Sequence, residues 1–129
     1  MARLLICLRR DQLDSRREKI SDTLHGCVTA TLGLPVDKRF HRFIALKAES
    51  SVHPTDRGER YTTIENSLSE GRPVETKKRQ IRAIFERSER ELGMARQDVE
   101  SAIHETPKHN WGIRGLSGVE LVLAYEVGK

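Results

Sequence analysis

The same local pattern occurs twice in this chain, about half a chain length apart. Segment 31–37 (Thr-Leu-Gly-Leu-Pro-Val-Asp) and segment 91–98 (Glu-Leu-Gly-Met-Ala-Arg-Gln-Asp) each follow apolar residues at helical spacing, and each precedes a strand-like stretch. Glycine favours the left-handed conformation in which helices often end. We therefore expect each copy to close a helix and lead into a strand. The chain is predicted to be an α/β protein with a tandem β-α-β repeat and a C-terminal strand.

Spacing and turn residues place the individual elements. A nearly continuous apolar run predicts a buried strand over 3–8, and a capping box of Ser15 and Glu18 is expected to open the first helix. The second helix is predicted to start with Pro73 in its first position and to end before Gly93. Helical spacing gives this second helix an apolar side made of Val74, Ile81, Ile84, Phe85 and Leu92. The remaining strands are predicted over 39–46, 60–68, 98–105 and 119–127.

Length and composition suit one folded domain. The chain has 129 residues, of which 36% are apolar and 33% are charged, a balance typical of soluble globular proteins. We expect a single domain over 1–129, with its two β-α-β halves at about 2–47 and 60–105. Right-handed crossovers would put both helices on one face of the sheet and leave the other face apolar and uncovered. Such a face is normally buried by further copies of the chain, so an oligomer is expected.

Composition also narrows the class of partner. The formal net charge is +4, but both signs are interspersed along the second helix, which indicates a solvated face rather than a nucleic-acid footprint. The two cysteines, Cys7 and Cys27, give no disulfide framework, and the histidines share no metal-ligand spacing. No phosphate loop, dinucleotide fingerprint, membrane-length apolar run or signal-peptide pattern occurs. We therefore expect a cytoplasmic protein with no metal, cofactor, nucleic-acid or membrane partner.

Arg72 is the candidate binding residue that the local sequence indicates. Gly71 permits a sharp turn and Pro73 suits the start of a helix, so Arg72 is predicted to lie where a strand ends and a helix begins. Helix N-termini favour anions, and a guanidinium can hold a carboxylate through paired hydrogen bonds. The alternative is a solvated surface arginine, and the local pattern leaves both interpretations open.

Four short segments carry a more specific pattern. They are 32–40 (Leu-Gly-Leu-Pro-Val-Asp-Lys-Arg-Phe), 59–62 (Glu-Arg-Tyr-Thr), 71–77 (Gly-Arg-Pro-Val-Glu-Thr-Lys) and 110–115 (Asn-Trp-Gly-Ile-Arg-Gly). In this order, and on a doubled β-α-β plan, they resemble the malonate semialdehyde decarboxylase-like branch of the tautomerase superfamily. The resemblance implies a homotrimer whose sheets pack face to face. A ferredoxin-like RNA-recognition module would need stacked aromatics on its central strands, where this chain offers only Tyr61.

The resemblance also implies a site for small carboxylates that carry a carbonyl, enol or vinyl halide. Members of the superfamily use the amine of an N-terminal proline as a base or proton donor, and arginines hold the carboxylate. Ala2 stands in the place of that proline, and Arg72 matches the arginine at the start of the second helix. Asp37 matches an aspartate that helps to position water or a proton, and Trp111 matches a tryptophan that walls the pocket.

Three positions depart from the family pattern. Ala2 is not proline, so a primary amine is available only if Met1 is removed, which the sequence leaves open. Glu70 stands where decarboxylase-type members carry a second arginine. Ile113 occupies a position where an aromatic often closes the pocket, and Arg114 beside it could reach the pocket or an adjacent subunit.

Two functions follow from these observations. The first is an atypical tautomerase that acts on small keto or enol carboxylates, by tautomerisation or a related proton transfer or decarboxylation. The rival, motivated by the missing proline, is a catalytically inactive trimer that binds a small acid or a protein partner. Structural interpretations stay open for single residues: Asp37 also suits a turn after Pro35, and a lone Trp111 also suits a packing anchor.

Overall fold

A computed structural model describes residues 2–121 and shows a four-stranded sheet with two long helices. The strands of the sheet are β1 (Ala2–Arg9), β2 (His41–Leu46), β3 (Thr62–Ser69) and β4 (Val99–Thr106). The helices are α1 (Arg10–Leu13), α2 (Arg17–Leu32) and α3 (Val74–Leu92). A small hairpin follows, with β5 (Gly112–Ile113) and β6 (Leu116–Ser117), and short 3₁₀ turns lie at Ala48–Ser50, Arg96–Asp98 and Lys108–Asn110.

The sheet confirms the doubled β-α-β plan. Its strand order is β2-β1-β3-β4. β1 runs parallel to β2, β3 runs parallel to β4, and the two halves meet where β1 and β3 pair antiparallel. Gly33 and Gly93 end the two long helices with φ angles of 67° and 64°, the left-handed conformation that glycine adopts without steric cost. The repeated Leu-Gly pattern therefore marks equivalent helix ends.

The core lies between the helices and one face of the sheet. Alternate residues of β1 point into it, and Leu4, Ile6 and Leu8 are all nearly inaccessible. The apolar side of α2 meets them with Ile20, Leu24, Cys27 and Val28. Burying a large aliphatic side chain contributes about 1.5–3 kcal/mol, so this layer provides most of the driving force for the fold.

The opposite face of the sheet carries no helix in the part of the chain described, as the repeat predicts. Its composition differs from the expected apolar surface, because charged and polar side chains are mixed with apolar ones. The alternation of each strand places on this face Arg3, Leu5, Cys7, Arg42, Ile44, Glu65, Ala102 and His104. The prediction that this face is free of helices holds for the described residues, but the prediction that it is apolar was wrong.

Two predictions about helix starts are also wrong. The expected capping box does not form, since α2 begins at Arg17 without a side-chain cap. Ser15 instead lies in the turn after α1, where the amides at 14 and 16 bond to Arg10 and Leu13. Pro73 precedes the first residue of α3 by one position.

The face of α3 that meets the sheet also differs from the prediction. Val74 is 61% exposed, because it lies two residues, or about 200° of helical rotation, from the buried stripe. That stripe recurs every four residues and is largely polar: Thr76, Gln80, Ile84, Ser88 and Leu92.

The segment after β4 holds a hairpin that the sequence did not predict. Ile113 pairs with Leu116 across a two-residue turn, in which Arg114 and Gly115 have φ angles of 52° and 80°. Two positive φ angles are typical of the tight turns that match strand twist. The predicted strand over 119–127 is not seen at its start, where Val119 and Glu120 form a turn, and residues 122–129 lie outside the described range. No helix within 2–121 is long and apolar enough to cross a membrane.

Candidate active site

The predicted site residues belong to segments that meet at one edge of the sheet. β1 and β2 both begin at this edge, and β3 and β4 both end there, because of the parallel and antiparallel pairings. Ala2 begins β1, and the turn with Asp37 precedes β2. Arg72 follows β3, and Trp111 follows β4. Ligands of open α/β sheets commonly bind beside the carboxyl ends of strands, and β3 and β4 have their carboxyl ends at this edge.

Ala2 lies in the interior of this edge, because it begins β1, which is flanked by β2 and β3 in the sheet. It pairs with Leu68 near the end of β3, and only 8% of its surface is exposed. Its side chain shares the core-facing side of β1 with Leu4. An amine at this residue would therefore sit at the border between the core and the sheet edge.

Arg72 is buried rather than solvated. It is 4% exposed and lies between β3 and α3, directly after Gly71, whose φ is 121°. Burial lowers the pKa of the Arg72 guanidinium, and the nearby Glu105 carboxylate opposes that shift. Arginine still keeps its charge at physiological pH. The structure thus favours a positioned cation over the surface arginine that the sequence had left open.

Asp37 lies in an exposed turn just before β2. The Lys38 amide donates to the Pro35 carbonyl across this turn, at 3.1 Å. The Val36 carbonyl accepts a hydrogen bond from Nε2 of His25, at 2.7 Å. Asp37 is therefore a turn residue as well as a candidate site residue, and the hydrogen bond from His25 connects its turn to α2.

A cleft of about 590 Å³ opens beside Trp111 at the same edge. The Arg3 guanidinium lies 5.3 Å from the centre of the Trp111 ring, within the range of a cation–π interaction. The residues lining the cleft are Arg3, Arg39, Phe40, His41, Arg42, Trp111, Gly112 and Ile113. Of the predicted site residues, the lining includes Trp111 and Ile113 but not Ala2, Asp37, Arg72 or Arg114.

The arginines of the cleft were not identified from the sequence. Arg39 has a carboxylate partner, Asp22, and also donates to the Ser21 hydroxyl. Arg3 and Arg42 lie on neighbouring strands near their starts, and the lining contains no acidic residue. Each of these two arginines lies near the start of its strand, Arg3 in β1 and Arg42 in β2. That position indicates a shared site only when the pairing of β1 with β2 is known.

A histidine pair lies beneath this edge. His25 and His41 meet edge to face with ring centres 5.9 Å apart, and Nδ1 of His41 lies 2.7 Å from the Ser21 hydroxyl. Burial, together with the neighbouring His25 and Arg39, lowers the pKa of His41 to about 4. His41 is therefore uncharged at neutral pH.

A family model described as tautomerase enzyme (Tautomerase_2) matches residues 38–114, which is more than half of the chain. The chain belongs to the tautomerase family. This confirms the family recognised from its four sequence segments. The match spans β2 to β5 and includes Arg72 and Trp111, whereas Ala2 and Asp37 precede it.

Solved structures agree with this assignment. The FG41 malonate semialdehyde decarboxylase inhibited by 3-bromopropiolate is 27% identical, with a TM-score of 0.81 and coverage of 94% of this chain and 98% of that one. A second malonate semialdehyde decarboxylase, solved also as a mutant with alanine in place of its first-residue proline, is 20% identical (TM-score 0.77, 85% and 88% covered). A fused 4-OT asymmetric trimer is 20% identical (TM-score 0.80, 90% and 95% covered). The tautomerase chain thus shares its fold with all three.

Proposed function

We propose that this tautomerase-family chain acts on small keto or enol carboxylates, with the alanine amine in place of the usual proline. The observation that carries the proposal is the cationic edge of the sheet. A buried Arg72 and a Trp111 cleft lined by Arg3 and Arg42 lie at the edge where β1 begins. Guanidinium groups recognise carboxylates through paired hydrogen bonds, so a small acid is the ligand that this edge fits best.

Each residue has a role in the proposed reaction. Arg72 binds the carboxylate, and Asp37 positions water or a proton. If Met1 is removed, the neutral amine of Ala2 accepts the enol O–H proton as the enol C–O bond becomes a carbonyl, and the ammonium formed in this way donates a proton to C3, which restores the neutral amine. Trp111 and Ile113 wall the pocket. Arg114 is exposed at the hairpin tip and does not line the cleft.

The arginines of the cleft supply positive charge that the missing second arginine of the family pattern would otherwise provide. Glu70 occupies that position and is exposed beside Gly71. Arg3 and Arg42 provide two further positive charges near the start of the sheet, and Arg3 is stacked on Trp111. We infer that they compensate for Glu70 when the site binds an anion.

We also propose that the chain forms a homotrimer. Its fused 4-OT neighbours were solved as trimers, and the helix-free face of its sheet exposes Ile44 among polar side chains. Packing that face against two further copies would bury the remaining apolar groups. The candidate site, at the end of the same sheet, would then lie close to the subunit boundaries.

A panel of small acids tests the proposed function. It contains the enol form of a 2-oxo acid, a 3-oxo acid that can lose CO₂ and a 3-haloacrylate, each assayed by absorbance or by NMR. We expect turnover of at least one of them above the buffer rate. If none reacts with the wild-type protein, the enzyme proposal fails.

The amine has its own test by intact mass. The purified protein is incubated with a small 2-oxo acid and borohydride, which reduces a Schiff base to a stable adduct. A protein mass lacking Met1 and a single adduct on Ala2 would support amine chemistry. Retention of Met1, or an unmodified Ala2, would remove the amine from the mechanism and leave Asp37 and Arg72 to act without it.

The missing proline favours one alternative, a protein that has lost catalysis and only binds a small acid. That alternative predicts saturable binding of a carboxylate by calorimetry, with no turnover of any acid in the panel. It also predicts that Ala2→Pro creates no activity. A rise in turnover in Ala2→Pro would instead show that the rest of the catalytic site is intact.

A further inference from the structure

We propose that His25 is a positioning residue that holds the turn carrying Asp37 in place at the edge of the sheet. The part of this inference that concerns catalysis rests on the role of Asp37 in the proposed function. The part that concerns the turn rests on the structure alone.

The contact between His25 and the turn has defined chemistry. His25 lies on α2, is 3% exposed, and places Nε2 at 2.7 Å from the Val36 carbonyl oxygen. A carbonyl only accepts hydrogen bonds, so Nε2 must carry the hydrogen. The ring therefore acts as a fixed donor from a rigid helix to the residue next to Asp37.

The turn has little else to hold it. Val36 is 76% exposed, and Asp37 and Lys38 are also exposed. The Lys38 to Pro35 hydrogen bond is internal to the turn. Among residues 2–121, the bond from His25 is the one hydrogen bond that joins residues 35–38 to another element. Without it, the turn is anchored only at its ends, by the buried Leu34 and by the β2 pairing that follows.

His25 is itself held in place. Its ring packs edge to face against His41, with ring centres 5.9 Å apart. His41 begins β2 and is bonded to Ser21 of α2. A side chain positions a site well only when its own rotamer is locked by packing. The pair therefore ties α2, the turn and the start of β2 into one unit.

This arrangement predicts a specific kinetic effect. Displacing a catalytic group by about 1 Å can cost on the order of 100-fold in rate. Loss of the His25 bond should therefore lower kcat by about 10- to 100-fold. KM should stay within about twofold, because Arg72, which binds the carboxylate, lies on a different element.

The test compares His25→Leu with His25→Gln. Leucine removes the donor, whereas the glutamine amide has a donor at a similar reach and should restore most of kcat. Thr23→Val is the matched control, because Thr23 is equally buried on α2 but bonds to Glu91 rather than to the turn. Thermal melting confirms that each variant is folded.

A double-mutant cycle identifies the partner. If His25 acts through Asp37, His25→Leu should cost little or nothing further in an Asp37→Asn background. A full additional loss of kcat in that background would overturn the positioning role. So would a loss in His25→Leu that His25→Gln does not reverse.

Hydrogen exchange separates this inference from the proposed function. The amides at 37 and 38 should exchange faster in His25→Leu than in the wild type, His25→Gln or Thr23→Val. Unchanged exchange would overturn the claim that His25 holds the turn. A wild-type protein that turns over no acid would defeat the proposed function, while the exchange result would still decide the role of His25.

Discussion

At the scale of single residues, two basic side chains at one edge of the sheet have lowered pKa values. Arg72 is a cation with almost no exposed surface, and His41 is an imidazole that burial keeps neutral. Moving charged groups out of water is costly unless something compensates for it. Perturbed titratable groups gathered near a cleft are typical of functional sites, and both residues lie at the edge where the family site is expected.

His41 predicts a pH dependence of stability. Its folded pKa of about 4 lies below its ordinary value of about 6.5. The unfolded chain therefore binds the proton first as the pH falls, so the stabilising effect of the neutral ring is present above pH 6.5 and is lost towards pH 4. We expect this group to remove about 2 kcal/mol from the free energy of unfolding between pH 7 and pH 5.

Urea unfolding at the two pH values measures this contribution. His41→Gln cannot titrate, so its free energy of unfolding should fall by about 2 kcal/mol less than that of the wild type over the same range. Equal pH dependence of the free energy of unfolding in the two proteins would show that titration of His41 does not affect stability.

At the scale of elements, the predictable features were those that depend on neighbours in sequence. The two Leu-Gly patterns marked both helix ends, and the apolar run of β1 marked a buried strand. The capping box failed because Ser15 belongs to the turn that closes α1. The hairpin was missed because nothing in the sequence requires Arg114 to take a positive φ.

The candidate site shows the same division. The position of Arg72 in the fold was predictable, because a glycine, an arginine and a proline in succession mark the passage from a strand to a helix. Arg3 and Arg42 were not, because they become neighbours through the register in which Leu4 pairs with His41. Register is a tertiary property, set by the burial of whole strands rather than by local preference.

Gly71 provides a prediction at the scale of this strand-to-helix connection. Its φ of 121° is unfavourable for any residue with a Cβ, so Gly71→Ala should destabilise the fold by about 1–2 kcal/mol. Arg72 follows directly and should shift with it, so kcat/KM should fall as well. The control for stability is Gly112→Ala, because no atom lies within 4 Å of a Cβ added at Gly112 and its φ is not positive. Equal melting temperatures for the two variants would contradict the assignment of strain to Gly71.

At the scale of the whole molecule, the helix-free face of the sheet is the surface through which we propose that copies of the chain associate. This face mixes apolar side chains such as Leu5 and Ile44 with charged ones such as Arg42 and Glu65. Such a mixture suits an interface in which polar groups select the partner orientation and apolar groups are buried. Within residues 2–121 the duplicated fold thus covers one face of the sheet with its two long helices and leaves the other face without a helix.

Two single glutamate substitutions test the assembly. Ile44→Glu places a charge on the helix-free face, which should convert the trimer to monomer at micromolar concentration because burying an unpaired carboxylate is costly. Val52→Glu is the control, since Val52 is 89% exposed in the connection between β2 and β3. Light scattering after size exclusion gives the mass of each species. A wild-type monomer, or a trimer that persists in Ile44→Glu, would contradict the assignment of this face.

The most direct measurement of the central claim is kcat/KM of the wild type and of Arg72→Ala on the most reactive enol or keto acid. A hydrogen-bonded charge contributes about 1.5–3 kcal/mol, so kcat/KM should fall by about 10- to 100-fold. Arg82→Ala, which removes an exposed arginine from the helix α3 that follows Arg72, should leave it within about twofold. Equal activity of Arg72→Ala and the wild type would show that the carboxylate is held elsewhere and would refute this assignment of the site.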